Sequence, residues 1–196
     1  MKYNPEKHHR RSIRLKGYDY SAAGSYFITI CTHQRECLFG EISNGEMHLN
    51  QYGQIIAEEW QRSSVIRQEI ELDLWAIMPN HFHGIVIITD NVGANGRLPL
   101  LPPPMQSDPS SLPDRTFARS SMQPKSLSSL IAGFKSATTK HINIARNSPS
   151  SPVWQRNYYE HIIRDETSCQ KIRQYIQTNP IAWEIDRLHP NNPSKW

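Results

Sequence analysis

The sequence has no apolar run long enough to cross a bilayer: its longest, Gly84 to Ile88, falls far short of the ~20 residues a membrane helix needs. Cysteine is scarce. Cys31, Cys37 and Cys169 make an odd number without CxxC spacing, which argues against a disulfide framework and a zinc ribbon and leaves three ordinary thiols. The amino-terminal stretch is basic but has no apolar segment behind it, so no secretory leader is expected and a cytoplasmic location is. Acidic residues are missing altogether from Arg115 to Tyr159. What remains, 196 residues with 37% hydrophobic and 20% charged side chains, is one domain with one core and some extended polar sequence.

The formal net charge is only +4, so its placement matters more than its size. Residues 1–20 hold Lys2, Lys7, Arg10, Arg11, Arg14 and Lys16 against Glu6 and Asp19, a surplus equal to that of the whole chain. The acid-free stretch carries Arg115, Arg119, Lys125, Lys135, Lys140, Arg146 and Arg156. Local surpluses of this kind suit phosphate contacts, although a solvated basic surface has the same composition.

Aromatic and β-branched residues from Ser25 to Gln34 predict a buried strand. A short strand near Leu38 to Ser43 and a turn at Asn44-Gly45 follow. Ile55, Ile56 and Trp60 recur near helical spacing between Gln51 and Val65, with Asn50 as N-cap. Glu71 to Met78 and Phe82 to Thr89 read as two strands split by Pro79-Asn80, both central in a sheet. Residues 91–125 contain seven of the fourteen prolines and no apolar periodicity, which marks an insertion. Leu127, Leu130, Ile131 and Phe134 then form the stripe of an amphipathic helix running toward Ile142. Val153 to Ile163 reads as extended. Asp165 to Thr178 reads as a helix capped by Asp165 or Thr167 and stopped by Pro180. Strands with a few helices and no regular βαβ alternation predict an α+β domain with an antiparallel-rich sheet.

Two constellations could carry chemistry. In His81-Phe82-His83 the strand alternation turns both imidazoles to one face and Phe82 to the other, an arrangement able to hold a divalent ion against a substrate oxygen. A pair of surface histidines would read the same way. Tyr175 and Asn179 lie four residues apart, hence on one helical face. A phenol with a pKa near 10 needs a polarised target before it can attack, and a metal on a phosphate would provide one. Alternatively, Tyr175 packs in the core and Asn179 is only a cap.

Three stretches, RRSIRLKGYDYSAAGSYFITICT (Arg10 to Thr32), PNHFHGIV (Pro79 to Val86) and WQRNYYEHIIRDE…IRQYIQTNP (Trp154 to Pro180), closely resemble the one-tyrosine HUH transposases, particularly the REP-associated tyrosine transposases. The resemblance covers about Arg10 to Asp90 and Lys125 to Trp183. It implies a ferredoxin-like α+β sandwich, with a central antiparallel sheet and helices packed on it, and a single-stranded DNA transesterase using Mg²⁺ or Mn²⁺. By the same resemblance His81 and His83 match the metal-binding histidines, Tyr175 the nucleophile and Asn179 the third metal ligand, where other branches often carry Gln. The organisation that follows is a basic arm at 1–24, the transposase-like domain at 25–183 interrupted at 91–125, and a tail at 184–196.

The implied partner is single-stranded or hairpin DNA, held through phosphates by Arg10, Arg11, Arg14, Lys16, Lys135 and Arg156, with no membrane and with the chain a monomer or a homodimer. Tyr158 and Tyr159 are rival nucleophiles without a metal-capable residue one helical turn away. Two other readings stay open: a non-cleaving module that binds hairpin DNA, and a phosphodiesterase that uses metal and water. Replication initiators and relaxases share the cleavage chemistry, but the sequence resembles them less.

Overall fold

The computed structural model describes residue 15, residues 17–89 and residues 123–192. Arg10, Arg11, Arg14 and Lys16 of the basic arm, and nearly all of the proline-rich insertion, lie outside the described residues.

The first strand, β1 (Gly24–Cys31), stops before the aromatic and β-branched pattern does. Gln34 and Arg35, in the short 3-10 turn that follows, take φ of 52° and 59°, which a strand cannot accommodate. Next come β2 (Gly40–Ser43) and β3 (Glu46–Leu49), a hairpin closed by Asn44 and Gly45 at φ of 54° and 78°, the conformation that favours Asn-Gly. Only the first of this pair was legible, because Glu46-Met47-His48-Leu49 is too short and mixed to stand out. The hairpin forms a separate two-stranded sheet.

Helix α1 (Gln51–Ile66) begins at Asn50, whose side-chain oxygen accepts from the Tyr52 and Gly53 amides. Strands β4 (Ile70–Met78) and β5 (His81–Ile88) follow, joined by the Pro79-Asn80 turn. Helix α2 (Leu127–Ala145) starts with reciprocal bonds between Ser126 and Ser129, a capping box built from two serines. Of the stretch predicted as extended, only β6 (Tyr159–Ile163) is a strand. Its earlier part makes a single bridge, Thr32 to Trp154, fixed by the Trp154 indole N–H donating to Thr138 Oγ1 at 2.8 Å. Last comes α3 (Glu166–Thr178), capped by Asp165.

The main sheet runs in the order β4-β5-β1-β6, and its three pairs are antiparallel. With α1 and α2 as the connections the pattern is βαββαβ, the ferredoxin-like sandwich. Strand β4 is at the edge of the sheet rather than in its centre, which corrects the expectation for Glu71 to Met78. A register break between Leu72 and Trp75 interrupts its pairing, as bulges at sheet edges do.

Side-chain alternation sorts two cores. Tyr26, Ile28, Ile30, Phe82 and Val86 meet Trp60 of α1 and Leu130, Ile131 and Phe134 of α2. On the opposite face Phe27 and Ile85 meet Ile163, Cys169 and Ile176 beneath α3. His81 and His83 share the parity of Ile85 and so face the α3 side. Gly84 turns the other way: a Cβ there would lie 3.0 Å from the Trp60 ring and 2.9 Å from that of Phe82, so glycine lets the indole rest against the sheet. Among the described residues no helix is long and apolar enough to cross a membrane.

Candidate active site

The two histidines open β5, opposite Cys31 and Thr29 of β1. Their rings lie 4.5 Å apart between centroids and both are buried, at 0% and 1% exposure, which rules out a pair of surface histidines. Burial pushes the His81 pKa down to about 4 against an opposing pull from Asp186, and holds His83 well below the usual histidine value. Both imidazoles are therefore neutral at pH 7, the form that ligates metals.

The neighbours of His81 also fix its tautomer. Asn80 directs its amide nitrogen to the carbonyls of Arg35 and Leu188, at 3.2 and 2.7 Å. That orientation aims its oxygen at His81 Nδ1, 2.7 Å away. Nδ1 must then carry the proton, and the lone pair of Nε2 faces the site. His83 Nδ1 lies 2.8 Å from Thr29 Oγ1, and His83 Nε2 is 3.3 Å from the Tyr175 hydroxyl.

Tyr175 projects from α3, the element that places it over the histidines. Its ring is edge-on to His83 and to Phe27 and is 43% exposed, whereas the adjacent Ile176 is buried at 1%. The helix thus sends Ile176 into the core and Tyr175 to the site. Burial of the hydroxyl end, helped by the Asp186 charge, raises the Tyr175 pKa to about 12. Arg173, two residues earlier, ties α3 to the bulge of β4 with two bonds to Asp73 Oδ2, at 3.0 and 2.7 Å.

Asn179 is the C-cap of α3, still in helical conformation, and is buried. Its Nδ2 donates to Asp186 Oδ2 at 2.8 Å. Its Oδ1 and His81 Nε2 are buried without a hydrogen-bond partner among the described residues. Asp186, beyond the 3-10 turn Trp183–Ile185, is a residue that sequence reasoning missed: it falls in the expected tail, with no local pattern to mark it. His81, His83 and Asp186 each offer one ligand atom, all within 4.8 Å of one another. Imidazole nitrogens with carboxylate and amide oxygens suit a divalent metal, and the two orphaned atoms point to the same conclusion.

The other sequence candidates lie elsewhere. Lys135 is half-buried and donates to the carbonyls of Gln155, Arg156 and Asn157. Desolvation lowers its pKa to about 8. Arg156 is exposed. Tyr159 stands on the same sheet face as the histidines with its ring edge-on to Phe27, while Tyr158 packs against the first core under the Lys135 ammonium. No described contact joins either ring to His81 or His83.

No family model matches the sequence. An uncharacterised protein of Haemophilus influenzae is 44% identical over 188 residues, covering 96% of this chain and 97% of its own. The chain belongs to the same family as that protein. Among solved structures, a REP-associated tyrosine transposase bound to a REP hairpin superposes with a TM-score of 0.53 at 16% identity, over 95% of this chain and 91% of that one. This member of the Haemophilus protein's family thus has the fold of a REP-associated tyrosine transposase.

Proposed function

We propose that the protein is a divalent-metal-dependent endonuclease and strand transferase of single-stranded DNA, with Tyr175 as its nucleophile. The observation that carries this reading is the convergence of the Tyr175 hydroxyl, the two buried neutral imidazoles and the orphaned Asn179 oxygen on one face of the sheet. His81, His83 and Asn179 would hold Mg²⁺ or Mn²⁺. When bound, that ion supplies positive charge at a non-bridging oxygen of the scissile phosphate.

Tyr175 forms a bond from its phenolic oxygen to phosphorus, and the bond from phosphorus to the 3′ oxygen breaks. The phenol loses its proton, the departing oxygen gains one, and the DNA is left as a 5′-phosphotyrosine and a free 3′-OH. A second strand's 3′-OH then reverses the exchange, releasing Tyr175 without ATP. Arg173 holds α3 so that the phenol stays over the site. A substrate strand beside a hairpin is favoured because the solved protein of the same fold is bound to one. Arg10, Arg11, Arg14, Lys16 and Arg156 would contact phosphates, while Lys135 would act through the backbone it holds at residues 155–157.

The test is a denaturing gel of labelled hairpin-bearing single strands, taken from the gene's own flanks, incubated with protein and Mn²⁺. A protein-linked band that disappears in Tyr175→Phe supports the transesterase. Cleavage that survives the substitution without a linked product identifies a water-using phosphodiesterase, and binding without cleavage a hairpin-binding module.

A further inference from the structure

We infer that Asp186 is the charged ligand of the metal site and that the ion binds before DNA arrives. The inference rests on the reading that His81 and His83 ligate a metal, and adds to it a residue from the segment after α3.

Asp186 is buried, and among the described residues no lysine or arginine forms an ion pair with it. A carboxylate withdrawn from water in this way is expensive unless a cation or several donors compensate it. Two donors are present. The Leu188 amide donates to Oδ1 at 2.6 Å and Asn179 Nδ2 to Oδ2 at 2.8 Å. These bonds orient the carboxylate and leave Oδ2 3.9 Å from His81 Nε2. Two atoms bound to one Mg²⁺-sized ion at about 2.1 Å can be at most about 4.2 Å apart, so this pair already fits a shared ion. Three atoms bound to one ion at about 2.1 Å are at most about 3.6 Å apart when evenly spread, so the whole set, within 4.8 Å, needs a closure of about an ångström.

Asn179 acquires a second role. By donating to Asp186 it is a positioning residue for the carboxylate, and its Oδ1 stays unpartnered. With two neutral imidazoles the histidine pair brings no charge. Asp186 makes the site anionic, so a divalent cation does not have to wait for a phosphate to complete its neutralisation.

The test measures Mn²⁺ binding to the whole, DNA-free protein by the electron-spin-resonance signal of the free ion, in wild type, Asp186→Asn and His81→Ala. Wild type is expected to bind one ion. Asp186→Asn, which keeps the side chain's volume and an oxygen for the Leu188 amide, is expected to weaken binding by roughly a hundredfold, the upper end of what a supporting residue alone would do. Its metal-free melting temperature checks the fold. The Co²⁺ form of the same variant should show a changed visible absorption, because that spectrum reads the ion's donors and not merely the nearby charge.

Wild-type affinity and an unchanged Co²⁺ spectrum in Asp186→Asn, with binding lost in His81→Ala, would overturn the role of Asp186 and leave the histidine site standing. Binding unaffected by His81→Ala would remove the histidine site itself. Wild-type binding seen only after DNA is added would overturn the order of events. If Asp186→Asn fails to fold, Leu188→Pro, which removes the amide donor to Oδ1 and also fixes φ at 188, is read by the same two signals once its metal-free melting temperature matches wild type: weakened binding with an altered spectrum supports the assignment, and unchanged values oppose it.

Discussion

The hydroxyl of Tyr175 lies 3.3 Å from the ring nitrogen of His83 that faces the site. A nitrogen has one lone pair in that plane, so a phenol O–H donated to it and a metal ion compete for the same electrons. If His83 ligates the proposed ion through this nitrogen, loading would break the hydrogen bond and free the Tyr175 phenol. Tyr175→Phe is expected to abolish the covalent DNA adduct while tightening Mn²⁺ binding about fivefold, the equivalent of about 1 kcal/mol for one lost competing bond. Titration of metal into the two proteins checks it, and weaker binding in the variant would contradict the competition.

Acid should unfold the protein early. In the unfolded chain both site histidines take up protons near 6.5, while in the fold His81 resists until about 4 and His83 also stays neutral well below its usual value. Between those values the unfolded state binds more protons, so stability falls as pH drops from about 6.5 toward about 4 and is flat just above that window. The groups around the pair are Asp186, which favours protonation of His81, and Arg35, which opposes it. Urea midpoints across this range measure the effect. A midpoint that does not move between about pH 6.5 and about 4 would mean that the imidazoles are not held neutral.

Asn80 links β5, the turn at Arg35 and the segment at Leu188 through one buried amide. Asn80→Ala leaves two carbonyls and the His81 Nδ1 proton without their partner, a loss of about 3 kcal/mol for three bonds. The tautomer of His81 is no longer specified, and Mn²⁺ affinity should fall roughly 10- to 100-fold. Chemical denaturation and metal titration on one preparation separate the two effects.

Arg173→Ala should change rate more than stability. The pair with Asp73 is partly exposed, with side chains 31% and 21% accessible, and such pairs contribute little to folding. Its effect falls on the placement of α3, where a displacement of Tyr175, the proposed nucleophile, can slow reaction up to roughly a hundredfold. Single-turnover adduct formation, compared with a denaturation midpoint close to wild type, tests this division.

Features carried by neighbouring residues were legible in the sequence. The alternation in His81-Phe82-His83, the four-residue step from Tyr175 to Asn179 and the caps at Asn50 and Asp165 are local geometry, and each is found in the structure. Features made by distant contacts were not legible. Asp186 reaches the site only because the chain turns back after α3, and Asn80 reads as a turn residue until Leu188 is beside it. Lys135 flanks an apolar stripe and so reads as a solvent-facing cation. It turns inward to donate to the Gln155, Arg156 and Asn157 carbonyls, twenty and more residues further along the chain. The edge position of β4 likewise depends on pairings that no window of sequence contains.

Gly84 and Trp60 form a pair whose members cannot drift independently. A methyl at position 84 would press on the indole and on Phe82, and Gly84→Ala is expected to lose about 1–3 kcal/mol by overpacking, measurable as a shifted denaturation midpoint. Trimming Trp60 alone would instead leave a void against the strand. Natural variation at these positions should therefore be correlated: any descendant with a larger residue at 84 should already have a smaller one at 60. The histidine beside Gly84 inherits that constraint, so the ancestry of the buried histidine pair is tied to a tryptophan on the far side of the sheet.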